Sequence, residues 1–125
     1  MMLLDTCILI EHYRGTNPAV SAFLINNQGL MSISAVTDME IAYGVRNKRE
    51  LQQHQKLLDN LHITVLDIDT TVSATARQWV REYGLSHTLH LADALIAATA
   101  QRHDLTLVTF NLKDFRFLDI KLRSV

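Results

Sequence analysis

Short apolar runs alternate along this chain with longer helical stretches, and no other feature narrows the possible folds as much. "MLLD" comes first, "LMSI", "ITVLDI" and "LTLVT" follow, and "IKLRSV" is a candidate fifth run. The segments between them carry helical periodicity and helical punctuation. "ILIEHYRG" stops at Gly15, while "TNPAVSAFLINNQG" starts with Asn17 as cap and Pro18 at the first helical position, and closes at Gly29. Ser34 caps "AVTDMEIAYG", and "KRELQQHQKLLDNL" carries Leu51, Leu57, Leu58 and Leu61 as its apolar positions. Asp69 caps "TTVSATARQWVREYG", whose Val72, Ala76, Trp79, Val80 and Tyr83 share one side. A helix over 89–103 is expected next, capped by Ser86 or Thr88. Parallel strands need crossovers of this kind, and the crossover helices cover both sides of the sheet. The pattern therefore predicts an α/β fold with a parallel sheet buried on both faces.

The length of 125 residues suits one domain, 1–125, and 48% hydrophobic with 20% charged residues marks a globular chain. No apolar run approaches the roughly 18 residues of a membrane span, and "MMLL" lacks the basic flank and the length of a signal peptide. A cytoplasmic location is expected. The single cysteine, Cys7, excludes an internal disulfide and a cysteine-based zinc cluster and fits a reducing compartment. A net charge of −1 is neutral on nucleic acid, although gathering several acids in one site would leave the remaining surface mildly basic.

The stretch "HLADALIAATA" poses a physical problem. A helix apolar almost all round is buried, and an uncompensated carboxylate such as Asp93 is costly there. In open α/β sheets ligands bind beyond the carboxyl ends of the strands. Asp5 ends the first strand, Glu40 lies early on the helix leaving the second, and Asp114 follows the fourth in "LVTFNLKDF". Asp93 opens the helix leading into that fourth strand, so the topology can bring four acids to one rim. A divalent cation is their natural compensation, and an all-oxygen donor set without His or Cys suits Mg²⁺ or Mn²⁺ better than zinc. Thr6, Thr109 and Asn111 stand where they can orient carboxylates or a phosphate oxygen. Arg14, Arg46, Lys48, Arg49, Lys113 and Arg116 stand near the rim ends of their elements, either as solvated surface or as contacts to a phosphate backbone.

Each acid also has a local reading. Asp5 and Asp114 suit turns, Glu40 can complete a capping box with Thr37, and Asp93 can accept from backbone N–H groups of a neighbouring loop. All four fit one geometry at once, which favours the common site. His87 and His90 have metal-ligand spacing but no third ligand, so packing or a nucleic-acid contact is preferred. Trp79 and Tyr83, one turn apart, suit core or dimer packing better than base stacking. Cys7 reads as a small residue packed at a helix start.

In "LLDTCILIE", "SISAVTDMEIAYG", "ADALIAATA" and "LVTFNLKDF", taken in that order, the chain resembles the PIN-domain nucleases, and within them the VapC-like toxins of toxin–antitoxin pairs. The resemblance covers nearly the whole chain. It implies a single PIN domain over 1–125 with a PIN-like three-layer α/β/α fold and a central parallel sheet of about five strands. It further implies a Mg²⁺-dependent endoribonuclease, with Mn²⁺ as an alternative ion, that cleaves single-stranded RNA, forms a homodimer and is inhibited by a cognate antitoxin. Asp5, Glu40, Asp93 and Asp114 take the metal positions, and Thr109 and Asn111 join them in the catalytic set. Two positions depart from the family pattern. Cys7 stands where Asn or Ser often follows "DT", and Asn111 stands where the last acid can fall, leaving Asp114 as the nearest.

Two rival readings centre on "VLDIDTTV". A haloacid-dehalogenase-like phosphatase would phosphorylate Asp67, with Asp69 two residues on, but that motif belongs on a first strand and too little chain follows it here. A receiver-like, Mg²⁺-binding signalling module would use Asp67 as phosphoacceptor. It also expects two adjacent acids after the first strand, where "LLDTC" offers one.

Overall fold

The computed structural model describes residues 1–125. Its elements run β1 (Met2–Leu4), α1 (Thr6–Arg14), α2 (Pro18–Asn26), β2 (Met31–Ser34), α3 (Ala35–Gly44), α4 (Lys48–Asn60), β3 (Thr64–Leu66), α5 (Thr70–Tyr83), α6 (Leu91–Arg102), β4 (Thr106–Val108) and β5 (Lys121–Arg123). One short 3₁₀ turn, Leu112–Asp114, lies between the last two strands. All strands pair in parallel, in the order β3-β2-β1-β4-β5. "IKLRSV" does supply the fifth strand.

The apolar strands are buried on both faces, and their side chains divide by pleat. Leu3 and Leu107 face one core, with α5, α6 and the aromatic Phe115; Met2, Leu4 and Val108 face the other, with α1, α2 and α4. The edges behave differently. Lys121 and Arg123 are exposed on β5, and Thr64 and Val65 on β3, which suits strands with one unpaired side. Trp79 is buried in the first core, as its helical spacing predicts.

Most caps follow the sequence. Asn17, Ser34 and Asp69 accept from Ala19, Val36 and Val72 N–H groups. Gly15 adopts φ 70° at the end of α1, a left-handed conformation that glycine enters without steric penalty. Two expectations are corrected. α6 begins at Leu91 with His90 as its cap residue and no side-chain cap bond. Thr88 has a φ of 53° and cannot serve, because a cap residue needs extended backbone. On α4 the buried stripe is His54 and Leu58, continued by Leu61, whereas Leu51 is 43% exposed. The opening turns of α4, at Glu50 and Gln53, border a groove instead of the core.

Candidate active site

The strand order changes direction at β1: the chain moves outward through β2 and β3 on one side, then returns to build β4 and β5 on the other. Asp5 follows β1 directly at this switch point, where α/β sheets leave a crevice. Its N–H donates to Val108 O on β4 (2.9 Å), and its side chain is only 5% exposed. Oδ1 accepts from the Thr6 N–H (2.8 Å) and Oδ2 from the Thr109 hydroxyl (2.8 Å). Thr109 is held in turn by its N–H to Arg123 O (3.1 Å) and by accepting the Asn111 N–H (3.0 Å). Two strand ends therefore clamp one carboxylate.

Glu40, on the second turn of α3, is more exposed, and its Oε1 accepts from the Thr6 hydroxyl (2.8 Å). That commits the single Thr6 proton, so fully buried Thr37 donates to Thr6 Oγ1 (2.9 Å). The capping-box pairing of Thr37 with Glu40 is absent because Ser34 already caps α3. Thr37 is a support that sequence reasoning misplaced. The spacing that suggests a cap also puts both residues on one helix face, here the face toward α1.

Asp93 is half-buried in the first turn of α6, and its pKa is raised from 3.8 to about 6. Burial is the largest cause, and the charge of Asp5 the next; His90 opposes the rise, and Asp114 and Glu40 add to it. No hydrogen bond figures among the causes, so the backbone-bonded alternative is not what this carboxylate adopts. The four acids, drawn from four separated segments, thus share one electrostatic neighbourhood. Asp114 reaches it from the exposed 3₁₀ turn; Asn111 precedes that turn, with its backbone on Thr109 and its side chain making no cap bond.

No three His, Cys, Asp or Glu side chains close into a ready metal cage. An open, all-oxygen set around a carboxylate that resists ionisation fits a hard cation that keeps part of its water shell, as Mg²⁺ does. Cys7 is no ligand of this kind. Burial, and then Asp5, raise its thiol to about 11, and the protonated sulfur donates to Asp5 Oδ2 (3.4 Å).

The other candidates separate. His87 stacks on Phe117 with ring centroids 4.2 Å apart and does not pair with His90 around an ion. Asp69 caps α5 and pairs with Arg102, and Asp67 follows the edge strand β3, away from the central switch point that either phosphoacceptor reading requires. Lys48, Arg49, Lys113 and Arg116 are solvent-exposed. Arg14 and Arg46 line a groove of about 660 Å³ between α1, α3 and α4, and Glu40 lines it too.

Residues 2–121 match the PIN domain, and the chain belongs to the PIN-domain family. Within that family its relatives are VapC proteins. It is 33% identical to Ribonuclease VapC10 of Mycobacterium tuberculosis over 92% of this chain and 86% of that protein, and 34% identical to Ribonuclease VapC19 of the same organism over 92% of each. A toxin–antitoxin complex from Klebsiella pneumoniae contains a chain with the same fold, at TM-score 0.78 and 29% identity over 95% of this chain and 93% of that one. No helix here is long and apolar enough to cross a membrane.

Proposed function

We propose that this chain is a Mg²⁺-dependent endoribonuclease that cuts single-stranded RNA and acts as the toxin of a toxin–antitoxin pair. The observation that carries the reading is Asp93, half-buried and unbonded, in the combined field of Asp5, Glu40 and Asp114. The names of the relatives, ribonucleases and a toxin–antitoxin complex, support it. Asp5 and Asp93 would hold the cation, with Mn²⁺ as the alternative ion, and Glu40 and Asp114 would act through water or beside a second ion. When bound, the cation supplies Lewis acidity, neutralising charge on the scissile phosphate and lowering the pKa of the attacking water.

The protein's own contribution is preorganisation. Thr6 N–H and Thr109 fix both oxygens of Asp5, and Thr6 Oγ1 fixes Glu40, so these carboxylates need little rearrangement when substrate arrives. Asn111 offers an amide near the same rim for a water or a phosphate oxygen. The reading includes a homodimer in the cytoplasm and an antitoxin that presents Arg or Lys to the acidic rim, where charge complementarity is available.

Purified protein free of any antitoxin should cleave single-stranded RNA with Mg²⁺ or Mn²⁺ and stop on addition of EDTA. Full activity in EDTA would overturn the metal-dependent reading.

A further inference from the structure

The groove lined in part by Glu40 contains a second polar assembly, separate from the four acids. Tyr13 Oη lies 2.6 Å from His54 Nδ1, and His54 Nε2 lies 2.8 Å from Asp38 Oδ1. His54 is 2% exposed. A carboxylate only accepts, so His54 Nε2–H donates to Asp38, and in the tautomer that leaves Nδ1 bare Tyr13 donates to it. Burial, with Asp38 beside it, pushes the phenol above its ordinary pKa, which keeps the donor protonated. The chain joins α1, α4 and α3 in one line of hydrogen bonds.

Tyr13 is nonetheless 40% exposed, and it lines the groove with Arg14 and Arg46. An aromatic side chain tethered at its hydroxyl and open to the groove has little rotational freedom left to lose on binding. Arg46 is engaged by Glu50 through two nitrogens (3.1 and 2.7 Å), whereas Arg14 takes part in none of the ion pairs of the chain. The groove thus offers a preorganised aromatic surface, an uncommitted guanidinium one residue further along α1, and continuity with the acid site through Glu40.

We infer that Tyr13 is a stacking platform for one base of the single-stranded RNA next to the cleaved bond, with Arg14 on the adjoining phosphate and His54 and Asp38 as positioning residues. This rests on the proposed nuclease reading and adds to it the path of the strand. An anionic polymer with stackable faces matches a groove that pairs an aromatic ring with a free cation.

The test uses a chain carrying Asp93→Asn, so that RNA is bound and not consumed, and a fluorescently labelled oligoribonucleotide containing 5-iodouridine. Ultraviolet irradiation should cross-link the RNA to the peptide that holds Tyr13. In the same background Tyr13→Leu should weaken binding about five- to a hundred-fold, the range expected for loss of one stacked base. Tyr13→Phe, which keeps the ring and loses the tether, should retain most of the affinity. The cross-link is read on the unaltered side chain and so stands even if Tyr13→Leu folds poorly. RNA cross-linked only elsewhere, or bound equally by well-folded Tyr13→Leu, overturns the platform. Loss of inhibition by a protein partner with RNA binding intact also overturns it, and makes the groove a protein-docking surface. If Tyr13→Leu in the otherwise unaltered chain cuts RNA as the parent does, only this inference fails; a parent that neither binds nor cuts RNA removes the nuclease reading as well.

Discussion

Replacing Asp93 by Asn separates what its charge does from what its shape does. The carboxyl is raised from 3.8 to about 6, chiefly by burial and then by Asp5. Because the folded pKa lies above the unfolded one, the folded chain holds the proton more tightly, and the ionised group destabilises the fold. That cost is fully present above about pH 6, shrinks as the pH falls through the folded pKa, and is gone below about pH 4. For a group out of solvent, a rise of this size corresponds to about 3 kcal/mol. Asp93 keeps solvent contact, and screening reduces the figure to about 1–2 kcal/mol. Asparagine has the same shape without the charge. In metal-free buffer near pH 8, Asp93→Asn should therefore melt roughly 4–10 °C above the parent, and the difference should narrow as the pH falls through 6 and close below about pH 4. Added Mg²⁺ should raise the melting temperature of the parent but not of the variant, and RNA cleavage by the variant should be lost. Thermal and urea unfolding at the two pH values decide the matter. A variant less stable than the parent near pH 8 would refute the reasoning, since a carboxylate bonded to structural donors would leave those donors unpaired.

The remaining expectations concern the groups around Asp93. Asp114→Asn should slow cleavage and raise the Mg²⁺ concentration needed, but by less than Asp5→Asn, because Asp114 reaches the rim from an exposed turn. Asn111→Ala should slow it with little change in Mg²⁺ requirement; rates measured against Mg²⁺ concentration separate the two, and an Asp114→Asn enzyme equal to the parent removes Asp114 from the site. Thr6→Val leaves Glu40 and buried Thr37 without their shared partner, so it should lower stability by about 1–3 kcal/mol in urea titrations and reduce activity, while Thr6→Ser retains most of both. Expression of the chain alone should arrest bacterial growth, and co-expression with the protein encoded beside it should relieve the arrest; a growth curve unaffected by the chain argues against a toxin.

Local chemistry is what a sequence displays directly, and most of the elements here are local. The strand runs, Asn17, Ser34 and Asp69 as caps, and Gly15 as a stop each depend on a few adjacent residues, so they are legible before folding. The acids are legible for a related reason: strand ends in a parallel sheet share one rim, so Asp5, Glu40, Asp93 and Asp114 can be gathered by topology alone. The supports of the site are of another kind. Whether Thr6 reaches Glu40 or Thr109 reaches Asp5 depends on how α1, α3 and β4 meet across 34 and 104 residues of chain, and no pattern within any one of those segments encodes that distance. The same holds for His54, which occupies an apolar stripe on α4 as if it were a leucine. Only the approach of α1 and α3 supplies Tyr13 and Asp38 to satisfy both ring nitrogens, and an imidazole without those partners would be too costly to bury.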